Sequence, residues 1–278
     1  MIKLSHTVFA LPFALSAAVL AQRSHPLTGA VLFWLLLAMV GARSAAMGFN
    51  RIVDAGIDAR NPRTEGREIP AGRISIPQAG GFVVLFSALF ILSAGMLGRL
   101  PLILSGPTLA ILFFYSYTKR FTWLAHLYLG FAISLAPAGA WIAVTGGFSP
   151  EILLLSLALM TYIAGFDVLY ACQDADFDRA EGLRSIPARF GVRPALMAAR
   201  GLHLVSFGAL LGLIPAFGLG GAYILFAGII GGLMVVEHRF VRPDDLSRID
   251  IAFFHVNSLI SVALFLGILA DEVVRRWG

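Results

Sequence analysis

Nine stretches of this chain are apolar for long enough to cross roughly 30 Å of hydrocarbon, and no other feature restricts its fold as tightly. They lie at 5–22, 27–49, 77–98, 101–118, 122–145, 152–173, 195–217, 219–237 and 250–272. Each run is continuous and does not alternate with period two, which excludes a closed strand barrel. Only helices then satisfy the backbone in lipid. The expected fold is an all-α integral membrane protein, a bundle of about nine transmembrane helices forming one domain over residues 1–278. Composition agrees, with 58% hydrophobic and 13% charged residues against roughly 25% charged in a soluble domain. Pro137, Gly139 and Gly165, inside the apolar runs, suit tight helix packing and local kinks.

The first run follows Lys3 and has small residues at Ala18 and Ala21, the outline of a signal peptide. Ser5, His6 and Thr7 at its start, Pro12 within it and the multi-spanning remainder favour a retained first helix instead. A pI near 9.8 raises nucleic acid as a partner. The placement of the charge argues for orientation in a bilayer. With helices alternating in direction, only Arg23, Arg99, Arg275 and Arg276 of the 21 basic residues fall opposite the N-terminus. The N-terminus and the basic loops are therefore expected on the cytoplasmic side of the inner membrane, with lipid and not nucleic acid as surroundings. Cys172 is the single cysteine, which excludes an internal disulfide or a cysteine metal cluster, and it reads as a packing residue.

One of these loops carries the chemistry. Asn50, Asp54 and Asp58 recur every four residues and drift only about 40° per step on a helix, so they share a face where an apolar segment meets its aqueous end. Carboxylates there cost free energy unless something cationic offsets them. A second set lies in the other half of the chain. Asp174 and Asp178 are four apart, and Asp167 lies about 20° round from Asp174 and two turns deeper. The two halves also echo each other: Asp58, Arg63 and Gly66 match Asp174, Arg179 and Gly182, and Ile69-Pro70-Ala71 matches Ile186-Pro187-Ala188 after a one-residue slip. An internal duplication accounts for this, with chance likeness of polar loops as the alternative.

Two acidic helix ends facing across a bundle make a cage of hard oxygens, suited to magnesium that keeps waters and bridges to phosphates. No twelve-residue calcium loop is present. A proton relay is the competing use of membrane carboxylates, but it does not need the cations Arg60, Arg63, Arg67, Arg73, Lys119, Arg120, Arg179 and Arg184 on the same side. A diphosphate does. An apolar bundle around such a site suits a lipid, and a polyprenyl diphosphate meets both demands.

The pattern Asn50-x3-Asp54-x3-Asp58 with Arg63-Thr64-x2-Arg67-x2-Pro70-x-Gly72, then Tyr115-x3-Lys119-Arg120, then Asp167-x2-Tyr170-Ala171-x2-Asp174-x3-Asp178, resembles the UbiA family of membrane prenyltransferases over nearly the whole chain. The resemblance implies nine membrane helices and two acidic motifs that bind a prenyl diphosphate through Mg2+, as two ions. It makes Asn50, Asp54 and Asp58 the first metal motif and Asp174 and Asp178 the second. Arg67 and Lys119 would grip the diphosphate, helped by Arg63 and Arg120. Arg43, on the face of Asn50 but deeper, would take an aromatic carboxylate or else an internal salt bridge to one of the Asp residues. Tyr115 would face positive charge with its ring or simply pack. Asp167 would position the acceptor or Tyr170, or support the structure behind them. His6 stands where it could reach the acceptor.

The opening Ser5-His6-Thr7-Val8-Phe9-Ala10-Leu11-Pro12 is similar to a subgroup described as 4-hydroxybenzoate polyprenyltransferases, some of them acting on a naphthoate in menaquinone synthesis. Arg51 stands where many members carry an acid after the Asn, and helix one lacks their Arg-Pro start, which bears on the acceptor and not on the reaction. The expected activity is transfer of a polyprenyl group to an aromatic acid in ubiquinone or menaquinone synthesis, by ionisation of the allylic diphosphate and attack by an electron-rich ring. Haem, chlorophyllide or glycerol-lipid acceptors stay open, as does an ion-coupled transporter, although transporter repeats place their polar groups near the midplane. His126, His203 and His255 lack metal-ligand spacing and read as packing residues, most of the 22 Phe as core or lipid-facing, and Gly218-Leu219-Gly220-Gly221 as a turn.

Overall fold

A computed structural model describes residues 10–242, 246, 249 and 255–277. Among them, 8 helices are long and apolar enough to cross a membrane, and a shorter apolar helix, Ala10–Ala21, precedes them. In chain order the elements are α1 Ala10–Ala21, α2 Gly29–Val53, α3 Ala55–Asp58, α4 Ile76–Leu97, α5 Arg99–Thr118, α6 Ala125–Thr145 and α7 Ile152–Ala171, followed by a 3₁₀ turn at Cys172–Asp174. Then come α8 Ala175–Ala180, α9 Ile186–Phe190, α10 Val192–Phe217, α11 Gly221–Phe240 and α12 Asn257–Trp277. The last helix runs on to Trp277, past the end of its apolar run at 250–272, and carries Asp271 and Glu272 near that end. Both are buried: Asp271 accepts from the backbone N–H of Gly220 at 2.9 Å, and Glu272 pairs with Arg23.

Local chemistry sets the helix starts and stops. The Thr28 hydroxyl accepts the Val31 N–H at 3.3 Å to open α2, and Ser75 with Gln78 forms a capping box at α4, with Pro77 in the first turn. At the end of α6, Gly146 takes a left-handed φ of 72°. The helix α7 is apolar all round and lies at the centre, packed against α6 and α10, with Leu155, Leu159, Tyr162 and Ile163 buried. α2 packs on α4, and α1 on α6 and α12. Small residues let these helices close up: a Cβ on Gly130 of α6 would sit 2.2 Å from the Met160 carbonyl oxygen of α7. Outward-facing Val84, Leu204 and Leu225 are largely exposed, as lipid-facing side chains are.

The acidic ends are not plain continuations of their helices. At Asp54 the backbone turns to φ −92°, ψ 2°, and at Asp174 to φ −101°, ψ 6°, each followed by a short helix. The Asp54 N–H still bonds Asn50 O at 2.9 Å and the Asp58 N–H bonds Asp54 O at 2.8 Å, so the stripe survives the break. This backbone register pairs Asp54 with Asp174 and Asp58 with Asp178, displaced by one helical turn from the sequence match of Asp58 with Asp174.

Candidate functional site

The two acidic ends face each other across a cavity of about 170 Å³. Asn50, Asp54 and Asp58 come from the end of α2 and from α3, and Asp167, Asp174 and Asp178 from α7 and the segment after it. Tyr115, Lys119 and Arg120 come from the end of α5, and Arg63 and Arg67 from the loop between α3 and α4. All eleven of these predicted site residues line one cavity. Asp58, Asp174 and Asp178 are buried, each no more than 7% exposed.

Arginine holds the carboxylates. Arg67 Nη1 lies 2.6 Å from Asp58 Oδ1, and Arg51 Nη1 is 3.8 Å from Asp58 Oδ2, so the basic residue after Asn50 adds a second cation to the same acid. Arg63 forms a forked pair with Asp174, Nε donating to Oδ1 at 2.8 Å, and also donates to Tyr170 Oη at 2.9 Å. Asp54 accepts from Asn50 Nδ2 at 2.8 Å and faces Arg120 at 3.5 Å. One oxygen of Asp178, Oδ2, is buried with no hydrogen-bond partner among the described residues.

Burial lowers the pKa of the Lys119 ammonium, but the combined field of Asp178, Asp167, Asp174 and Asp54 outweighs it and raises the value above its usual range. For Asp54, burial raises the pKa, and the neighbouring Lys119 only partly offsets this. Among the described residues no three acids or histidines converge closely enough to hold a metal by themselves. The donor set is nonetheless hard oxygen with an orphaned Asp178 oxygen and a cationic wall. It suits a divalent ion that arrives with phosphate oxygens, the usual manner of magnesium.

Through Asn50 and Tyr115, which line both, this polar chamber adjoins an apolar one of about 270 Å³ between α2, α4, α5 and α6. Arg43 lines the apolar chamber, and its Nε is buried with no hydrogen-bond partner among the described residues. The internal salt bridge weighed for Arg43 does not form among the described residues.

Other expectations fare differently. His6 lies outside the described residues. Arg60, Arg179 and Arg184, grouped with the diphosphate-facing cations, do not line the cavity. Arg60 bridges to Glu181 at 2.7 Å, Arg179 pairs with Asp176 at 2.9 Å, and Arg184 donates to the Phe121 carbonyl at 2.8 Å. Arg73 likewise lies outside the cavity lining and donates to the Gly66 carbonyl at 2.6 Å; Arg60 and Arg184 reach neighbouring segments, and Arg179 pairs within its own short helix.

Sequence reasoning assigned no role at the site to Asn61, Thr64, Ser116 and His126. Asn61 Nδ2 donates to Asp174 at 3.2 Å while its Oδ1 accepts the Arg63 N–H at 2.9 Å, and the Asn-Pro pair of residues 61–62 was the available turn signal. The Thr64 hydroxyl donates to the Asp58 carbonyl at 3.1 Å. Ser116 Oγ lies 3.4 Å from Asn50 Nδ2. His126, read as packing, has its Nδ1 2.6 Å from Asp167 Oδ2, a contact across 41 residues that no local pattern signals.

The model of the UbiA prenyltransferase family matches residues 10–259. A structure of a UbiA homologue from Aeropyrum pernix K1, in its apo form, is 32% identical, with a TM-score of 0.88 over 98% of this chain and 99% of that one. A UbiA homologue from Archaeoglobus fulgidus bound to DMAPP and Mg2+ is 18% identical, with a TM-score of 0.73 over 97% of this chain and 98% of its own, a likeness of fold. The 4-hydroxybenzoate octaprenyltransferase of Vibrio parahaemolyticus is 30% identical over 254 residues, 91% of this chain and 88% of the relative.

Proposed function

The chain belongs to the UbiA prenyltransferase family, as a multi-pass membrane enzyme, and on that footing we propose that it transfers a polyprenyl group from polyprenyl diphosphate to an aromatic carboxylic acid. The acceptor is 4-hydroxybenzoate or a related naphthoate, and the product serves ubiquinone or menaquinone synthesis. The observation that carries this reading is the adjoining pair of chambers, one of acids and cations and one apolar with an arginine whose Nε has no partner among the described residues, meeting at Asn50 and Tyr115. The names of the curated relatives and the DMAPP and Mg2+ bound by the Archaeoglobus homologue support it.

Asn50, Asp54, Asp58, Asp174 and Asp178 would hold two Mg2+ ions together with the diphosphate. Bound there, Mg2+ would neutralise the leaving group and ease cleavage of the allylic carbon–oxygen bond. Lys119, Arg67, Arg63 and Arg120 grip the phosphate oxygens, Lys119 being the cation without an ion pair among the described residues. Arg63 and Arg67 exchange their present carboxylates for phosphate when the ligand enters. The prenyl chain lies in the apolar chamber with its reactive carbon beside Tyr115, whose ring stabilises the allylic cation. Arg43 takes the acceptor's carboxylate and so presents the ring to that carbon. The apolar walls keep water from capturing the cation as prenyl alcohol. N-terminus and polar chamber face the cytoplasm across the inner membrane.

The test uses protein purified in detergent, Mg2+, labelled geranyl diphosphate and a panel including 4-hydroxybenzoate and dihydroxynaphthoates. The expected outcome is a prenylated aromatic acid formed from at least one of them. No transfer to any acid, together with no metal-dependent binding of the diphosphate, would overturn the proposal.

A further inference from the structure

His126 is fully buried on α6, and Asp167 is the residue of α7 it reaches, Nδ1 to Oδ2 at 2.6 Å. On the other side of the ring, Nε2 lies 3.4 Å from the backbone N–H of Ile186. That N–H can only donate, so Nε2 is the accepting nitrogen and the proton sits on Nδ1, where it is given to Asp167. The main chain thus fixes the tautomer. The close approach of α6 and α7 at Gly130, one turn further along, holds the two residues at this distance.

Asp167 also lines the polar chamber, with its side chain 19% exposed. The titratable groups around it are His126 on α6, Tyr115 and Lys119 on and after α5, and Asp174 and Asp178 beyond α7, with Asp54 also lining the chamber. Asp54, Asp58 and Asp174 each face an arginine and so already have a cationic partner. Asp167 faces the His126 imidazole instead.

We propose that Asp167 receives the ring proton lost in the substitution, and that His126 is the positioning residue that holds it aimed into the chamber. This rests on the prenyl-transfer reading. The allylic carbon–oxygen bond breaks with its electron pair leaving on diphosphate, and a ring π pair forms the new carbon–carbon bond. The carbon–hydrogen bond at that ring position then breaks, its electron pair restores aromaticity, and the proton goes to the free oxygen of Asp167. The Nδ1–H bond to Oδ2 persists throughout, and the chamber's open side returns the proton to solvent.

The experiment compares wild type, His126→Leu and His126→Asn, the last keeping an amide N–H near the position of Nδ1. It measures kcat, both KM values, and the deuterium isotope effect with an acceptor deuterated at the ring position that reacts. His126→Leu is expected to lower kcat by about 10- to 100-fold with both KM values little changed and a larger isotope effect, while His126→Asn restores most of kcat. Should the leucine variant not fold, Asp167→Asn, which can still accept from His126, is expected to bind the diphosphate normally and lose transfer. An unchanged isotope effect in His126→Leu, or full transfer by Asp167→Asn, overturns the inference. A wild type that transfers nothing overturns the prenyl-transfer reading instead.

Discussion

Replacing Lys119 with methionine removes one charge and very little volume. The ammonium sits in the field of Asp178, Asp167, Asp174 and Asp54, and it makes no ion pair among the described residues, so its donors are available to a phosphate. A hydrogen bond to a charged group contributes about 1.5–3 kcal/mol, and each 1.4 kcal/mol is a factor of ten. Lys119→Met is therefore expected to weaken diphosphate binding about 10- to 100-fold. It has a second effect with a defined sign. Burial raises the Asp54 pKa and Lys119 opposes that rise, so removing the cation moves the acid limb of binding to higher pH. Calorimetric titration with non-reactive geranyl thiodiphosphate and Mg2+ in detergent, repeated across pH, reads both effects. An affinity within about threefold of wild type at every pH would refute the placement of the phosphate beside Lys119.

Three further outcomes follow from particular contacts. The raised Asp54 pKa means that its carboxylate protonates at a higher pH than an ordinary aspartate, so kcat/KM for the prenyl diphosphate should fall on acidification earlier than a normal carboxylate would require. Asp54→Asn should lose most activity at every pH, and a profile flat to the usual aspartate range would contradict the shift. Arg43→Met should raise the acceptor KM about 10-fold or more and leave thiodiphosphate affinity unchanged; equal losses in both would place Arg43 outside the acceptor site. Gly130→Ala must push α6 and α7 apart at a 2.2 Å contact and should destabilise the detergent-solubilised protein by about 1–3 kcal/mol, read as a lowered thermal midpoint.

The acids were legible because helical periodicity is a short-range property: Asn50, Asp54 and Asp58, and Asp174 and Asp178, each lie within one segment, and the basic residues near them declare an anion. The apolar runs revealed the bundle for the same reason, since lipid demands length and continuity of each helix separately. Properties that depend on packing between helices were not legible. The bond from His126 to Asp167 requires α6 and α7 in contact, and the destinations of Arg60 and Arg184 depend on where two loops run. The turns at Asp54 and Asp174 break both helices without changing the composition around them. Arg43 was visible as an anomaly in an apolar segment, but only the chamber around it shows that its Nε is unpartnered.

The central claim is that two acidic helix ends close on one metal–diphosphate unit that neither end holds alone. Titration of Mn2+, as a paramagnetic substitute for Mg2+, into the purified protein with and without geranyl thiodiphosphate measures this directly. The account predicts weak binding of the ion alone, two tightly bound ions per chain once the diphosphate analogue is present, and loss of that tight binding in Asp54→Asn and in Asp174→Asn separately. Tight ion binding that is independent of the analogue, or that survives in either variant, would contradict it.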